Sequence, residues 1–430
     1  MTAEIAIMNK EGIAIAADSA VTMGSEWGQK IFTSANKLFV LSKYYPVGIM
    51  IYGDADFMNI RWETVVKIYR NKLGKQNFDT LTKYANDFIA FLDNKNSLFP
   101  EDQQRKYLYG TTLGYFTHQI RRETWEEVKA IIDKEGKITD TRIGQLTSDV
   151  IKNHYDKWEK AKKLPSIPKT HINQILTRYH NIIDKAINEV FEKLPISAAS
   201  MRQLRKISAS LFSKDIFPSN ISGVVIAGFG EKEPFPSLKS FLIEGIANNK
   251  LKYKEDISEK ISFDNNAAIV PFAQREMVYT FMEGIDPYLQ SYMNRDLSRI
   301  FDKYPEIIVK SIERLDDKEK QTLLEKIKQA SNSIFKDYKN RITIRRRKYY
   351  VEPIIRVVAM LPKDELAMMA ESLVSLTSLK RKVTPKSETV GGPIDVAMIS
   401  KGDGFIWIKR KHYFKAELNA QFFAKYYREE

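Results

Sequence analysis

The chain opens on two short apolar runs, 3–8 and 12–17, separated by Asn9-Lys10-Glu11-Gly12. Ile5, Ile13 and Ile15 set the pattern of two β-strands, and the polar tetrapeptide ending in glycine supplies the hairpin turn between them. Two more strands are predicted over 37–42 (KLFVLS) and 46–53 (PVGIMIYG). The last is apolar throughout, as expected of a strand covered on both faces.

After Ala55 the character changes. Apolar residues at helical spacing predict helices over 60–73, 80–92, 103–132, 147–164 and 172–194, with Pro165 and Pro168 among the breaks. Strands return at 222–228, 239–245, 250–254 and 259–263. Helices are then predicted from 272 to 338 and from 353 to 379. The pattern closes with a hairpin, 394–400 and 405–409 around Lys401-Gly402-Asp403-Gly404, and a short amphipathic helix after Phe414. Four strands, helices, four strands, helices and two strands give an α+β chain. The order fits strands gathered into two sheets with helical layers outside them.

Composition removes several chemistries. None of the 430 residues is cysteine, which excludes disulfides, thiolate metal sites and a cysteine nucleophile. The five histidines form no HExxH pair, so a histidine-based zinc site is not expected. No apolar run approaches the roughly 20 residues that span a bilayer. The start lacks the basic-then-apolar layout of a signal peptide, so a cytosolic protein with no membrane partner is the expectation. The net charge of +14 favours acidic partners in general. Its bland explanation is a solvated basic surface, because the basic residues are dispersed through helices.

The first segment carries more information than its strands. Thr2…GIAIAADSAVTMG…NKLFVLS…VGIMIYGDAD resembles the start of proteasome β-subunits and their simpler bacterial homologues, which are N-terminal nucleophile hydrolases. In that family a nucleophilic threonine opens the mature chain. An Ala-Asp-Ser segment, a strand-initiating lysine and a Gly-x-Ala-Asp strand end follow it. Asp18 stands sixteen residues after Thr2, the family separation, and Lys37 begins KLFVLS where the family's lysine begins its strand. Gly53 occupies the place of the oxyanion-hole glycine. VVIAGFGEKEPFPSLKSFLIEG and ETVGGPIDVAMISKGDGFIWIK resemble later family segments.

The resemblance divides the chain into a proteasome-like core, in parts 1–57, 220–264 and 386–412, and helical insertions, 58–219 and 265–385, with a helical tail at 413–430. It implies a four-layer αββα sandwich and a protein or peptide substrate. A homo-oligomer is a further implication. The family's ATP-driven unfoldase partner has no counterpart feature among these residues. The chain departs from the pattern at 272–274, where Phe-Ala-Gln stands in place of a serine, and before the Gly-Gly pair. There Ser387 and Val390 replace an aspartate and a serine, with Glu388 and Thr389 close by.

The implied chemistry assigns a role to each matched residue. A threonine hydroxyl needs a base, and an N-terminal threonine carries one as its α-amine, whose pKa is about 7.7–8.0. Loss of Met1 is expected to expose it, since threonine's small side chain permits ordinary removal of the initiator methionine. Lys37 would lower the pKa of the hydroxyl and the amine, Asp18 would hold the ammonium, and the Gly53 N–H would stabilise the tetrahedral oxyanion. No metal or organic cofactor is required. Taken singly, Thr2 is a tolerated second residue, Asp18 a cap and Lys37 a surface lysine; a scaffold without activity is the corresponding alternative. The rival from another class is a nucleic-acid-associated protein, suggested by RITIRRRKYY at 341–350 and SLKRKVTPK at 378–386. A solvated face explains each cluster more simply, and no zinc finger, RNP motif or DNA-binding helix pair accompanies them.

Overall fold

The computed structural model describes residues 2–25, 28–93, 97–218, 221–384 and 390–427. It is a mixed α/β chain with antiparallel sheets. β1 (Ala3–Asn9), β2 (Gly12–Ala17), β3 (Val21–Ser25) and β4 (Gly28–Phe32) come first. β5 (Leu38–Val40), β6 (Val47–Tyr52), β7 (Asp56–Phe57) and β8 (Ile60–Arg61) follow. The first helical block holds α1 (Trp62–Leu73), α2 (Leu81–Asp93), α3 (Glu101–Tyr115), α4 (Arg122–Glu135), α5 (Asp140–Lys160), α6 (His171–Arg178), α7 (His180–Phe191) and α8 (Ala198–Leu211). β9 (Ser222–Gly228), β10 (Ser237–Ala247), β11 (Lys250–Lys260) and β12 (Ala267–Ala273) return the chain to sheet. Then come α9 (Glu276–Glu283), α10 (Pro287–Lys310), α11 (Asp317–Arg346), α12 (Glu352–Val358) and α13 (Lys363–Lys382). β13 (Asp395–Ser400), β14 (Gly404–Lys409) and α14 (Ala420–Tyr427) complete it.

These elements form two compact units. The first comprises Met1–Leu38, Pro234–Pro236 and Lys260–Glu430; the second comprises Phe39–Glu233 and Ser237–Glu259.

The first unit is built on a five-stranded sheet in the order β12-β1-β2-β13-β14. Alternation along β1 sends Ala3, Ile5 and Ile7 to one face, where Ala14 and Ala16 of β2 and Val396 and Met398 of β13 join them. Helix α13 covers this face with Leu366, Ala367, Ala370, Leu373 and Val374, a spacing that keeps one stripe toward the sheet. Asp364 and Glu365 in its first turn and Lys380, Arg381 and Lys382 in its last complement the helix dipole. Burying Ile5 and Ile7 contributes roughly 1.5–3 kcal/mol each. The turn after β1 is fastened as well, because Asn9 donates through its side-chain amide to the carbonyls of Val358 and Leu361, both at 2.9 Å. The other face of β1, bearing Glu4, Ala6 and Met8, is also buried.

The second unit carries the sheet β11-β10-β9-β6-β5. Ile49 and Ile51 of β6, Val224 and Ile226 of β9 and Phe241 of β10 pack with Trp62, Val65, Tyr69, Tyr84 and Phe88 from α1 and α2. A second core gathers α3, α5, α7 and α8 around Leu108, Val150, Ile187, Leu204 and Ile207. Lys252 is buried beside Glu244 at 2.6 Å and donates to the carbonyls of Leu211 and Ile216, which ties β11 to the end of α8.

The structure departs from the expected elements in several places. The strands expected over 250–254 and 259–263 are one strand, β11. The helix expected from 272 begins at Glu276, and 267–273 is the edge strand β12. β3 and β4 form a separate hairpin that the sequence reading left unassigned. No described helix is long and apolar enough to cross a membrane.

Candidate functional site

In the first unit, the ends of β1 and β2 bring Thr2, Asp18 and Lys37 together. Glu4 pairs in register with Ala17 of β2 and with Phe272 of β12, and Asp18 directly follows that register. The backbone continues the ladder past the strand ends. The Asp18 N–H donates to the Ala3 carbonyl at 3.1 Å, and the Gln274 N–H donates to the Thr2 carbonyl at 3.1 Å. The main chain at Thr2 and Ala3 is therefore tied to both neighbouring segments.

Asp18 is the hub. Its Oδ1 accepts the Ala3 N–H at 3.0 Å and the Lys37 ammonium at 2.5 Å. Its Oδ2 accepts the N–H groups of Ala20 at 3.2 Å and Gly391 at 2.9 Å. Four donors occupy the roughly four lone-pair sites of a carboxylate. Gly391 is placed by its neighbour. Gly392 has φ +78, and a Cβ there would lie 2.8 Å from Thr33 Cβ. The glycine pair thus lets the 390–394 segment come close enough to serve Asp18.

Sequence reasoning missed Glu4. The Thr2 hydroxyl donates to Glu4 Oε2 at 3.0 Å, and Lys37 Nζ stands 3.2 Å from Glu4 Oε1. One ammonium therefore serves two carboxylates. All four side chains are shielded: Thr2 is 2% exposed, Glu4 2%, Asp18 1% and Lys37 4%. Burial pushes the Glu4 carboxyl up to about 7, against the opposing pull of the Lys37 charge; the nearby Asp18 charge adds to the rise. The available signal was positional. Glu4 is the one charge inside an apolar strand, two residues from Thr2 and hence on the same side of it.

A second buried ion pair, Lys411 with Asp395, lies within the electrostatic reach of Lys37 and Asp18. Burial pulls the Lys411 ammonium below its ordinary range, and Asp395 opposes that shift. The departure at 272–274 takes physical form at Ala273. It pairs with Ala3 and adopts φ +55. That left-handed backbone costs an L-residue roughly 1–2 kcal/mol, so strain is stored beside Thr2.

Gly53 belongs to the second unit, where it follows β6 with φ +81. A Cβ there would meet the Ile221 carbonyl at 2.0 Å, so only glycine fits. Met1, Ser387, Glu388 and Thr389 lie outside the described residues. Among the described residues no group of three His, Asp or Glu side chains is arranged to hold a metal.

Several basic side chains of the two clusters have acidic partners within the chain, and Lys386 lies outside the described residues. Arg341 pairs with Asp337 at 3.2 Å, Arg346 with Glu283 at 2.9 Å and Arg347 with Glu352 at 3.7 Å. Lys380 pairs with Asp286 at 3.1 Å, and Arg381 pairs with Glu276. Arg345 and Lys348 both lie over the ring of Tyr349.

No family model matches the sequence, and no curated protein matches it.

Proposed function

We propose that this chain is a threonine-type amidase or peptidase that cleaves amide bonds through an acyl-enzyme on Thr2. The observation that carries this reading is the buried Lys37 ammonium held by Asp18 and Glu4, with the Thr2 hydroxyl donating to that same Glu4 carboxylate. A cation there lowers the cost of developing negative charge on Oγ. Removal of Met1 would add an α-amine to the same residue. Asp18 acts by position, holding the lysine with a carboxylate whose other acceptor sites are filled by backbone N–H groups.

The matching fold assignment is the four-layer αββα class of N-terminal nucleophile hydrolases. Two five-stranded antiparallel sheets, each with helices packed on a face, support it. A protein or peptide substrate and assembly as a homo-oligomer follow from the same resemblance. The nucleic-acid reading is the weaker one, because its clusters carry no zinc finger, RNP motif or DNA-binding helix pair.

The test is intact-mass analysis of the full-length protein with and without a β-lactone, which acylates an activated hydroxyl. One probe mass gained at Thr2, and lost in Thr2→Ala and Lys37→Ala, is the expected result. An unlabelled wild-type protein refutes the proposal.

A further inference from the structure

The Thr2 hydroxyl has a carboxylate partner of its own. It donates to Glu4 Oε2 at 3.0 Å, the heavy-atom distance from which a general base takes a proton. The strand fixes this geometry, because residues two apart on an extended chain project to the same side. Asp18 cannot fill that role, since its oxygens already accept Ala3, Ala20, Gly391 and Lys37. Glu4 accepts the hydroxyl on Oε2 and meets the ammonium through Oε1, and it takes none of the backbone donors that fill Asp18.

From this placement we infer that Glu4 is the general base that accepts the Thr2 hydroxyl proton, so that activation of the nucleophile does not require a free α-amine. The inference rests on Thr2 being the nucleophile. In acylation, Oγ bonds to the substrate carbonyl carbon while its proton passes to Glu4 Oε2 and the C=O π pair moves onto oxygen. Collapse of the tetrahedral species breaks the C–N bond, and Glu4 returns the proton to the departing nitrogen. In deacylation Glu4 takes a proton from water, the hydroxyl attacks the ester, and the proton goes back to Oγ as the ester C–O bond breaks. Protons balance over the cycle, with one amide bond and one water consumed.

The surroundings suit a base working near neutrality. Lys37 and Asp18 are the charged groups that act on Glu4, while Ala17 and Phe272 flank it in the sheet. Its carboxyl is pushed up to about 7, chiefly by burial. At that value the carboxylate is populated at neutral pH and still basic enough to draw a proton from a hydroxyl.

The experiment is the rate of β-lactone acylation of the full-length protein across pH, read by intact mass, for wild type, Glu4→Gln, Glu4→Asp and Glu4→Ala with added formate. Wild type is expected to react at Thr2 with a rate that falls on the acid side of about 7. Glu4→Gln is expected to slow acylation by ~10²–10⁴-fold and to lose that limb. Glu4→Asp should stay slow but titrate, and formate should restore part of the rate to Glu4→Ala. A folded Glu4→Gln that reacts at the wild-type rate, or keeps the acid limb, overturns the assignment and returns the role to the α-amine. If Glu4→Gln does not fold, temperature decides: a carboxyl limb stays in place on warming, whereas a limb that moves down like an ammonium overturns the assignment. Failure of the Thr2 reading looks different. In that case wild type gains no probe mass, or Thr2→Ala gains it equally, and both proposals fall together.

Discussion

Substituting Glu4 by Gln is expected to make the protein more stable at alkaline pH while leaving its acid stability little changed relative to wild type. The Glu4 carboxyl titrates at about 7 in the folded chain against an ordinary 4.5. Because the folded value is the higher one, the native state holds a proton that the unfolded chain releases between those values. Stability therefore falls as pH rises through the window from 4.5 to 7, and the loss is complete above it. A displacement of about 2.5 units at 1.36 kcal/mol each comes to roughly 3 kcal/mol. Glutamine cannot ionise and escapes that loss. Urea denaturation of wild type and Glu4→Gln, followed by circular dichroism at pH 4 and pH 8, isolates the term, because other titrating groups cancel in the difference. The gap between variant and wild type should widen in favour of Gln by about 3 kcal/mol from the acid to the alkaline condition. A gap independent of pH would refute the reasoning. It would mean that Lys37 keeps Glu4 ionised throughout, and that burial does not dominate its titration.

Three further outcomes follow from the same geometry. Lys37→Met removes the ammonium shared by two buried carboxylates and is expected to cost about 3 kcal/mol near neutral pH, the lower end for a broken buried pair, because Asp18 keeps its three backbone donors. The deficit should shrink on acidification, as denaturant titration at two pH values would show. Gly392→Ala places a Cβ against Thr33 at a left-handed φ and should lower stability by about 1–3 kcal/mol while slowing acylation, since Gly391 would move off Asp18. Lys252→Met leaves Glu244 buried without its cation and should cost about 3–5 kcal/mol in the second unit, measured by hydrogen exchange of β10 and β11.

The legible parts of the sequence were those in which local pattern and environment agree. The β1–β2 hairpin was readable because apolar runs flank a polar turn, and the closing β13–β14 hairpin for the same reason. The resemblance named Thr2, Asp18 and Lys37, and the strand ends place these three near one another. β12 was obscured by Pro271, which argues against a strand unless that strand lies at a sheet edge, as this one does. The β3–β4 hairpin was hidden because VTMGS and GQKIF lack a clean apolar alternation. Glu4 was passed over because a lone glutamate in a strand usually faces water. Its burial, in a strand flanked by Ala17 of the hairpin and Phe272 of the distant β12, is a product of tertiary assembly.

The division of the chain between its two units also dictates an order of events during synthesis. The second unit is complete once Glu259 has been made, whereas Asp18 waits for Gly391, 373 residues downstream of it. At translation rates of about 5–20 residues per second, that wait lasts roughly 20–75 seconds. β1 has no β12 to pair with until Ala273 has been made, and β2 has no β13 through the whole interval. The carboxylate hub beside the candidate nucleophile is thus completed only after the whole second unit has been made.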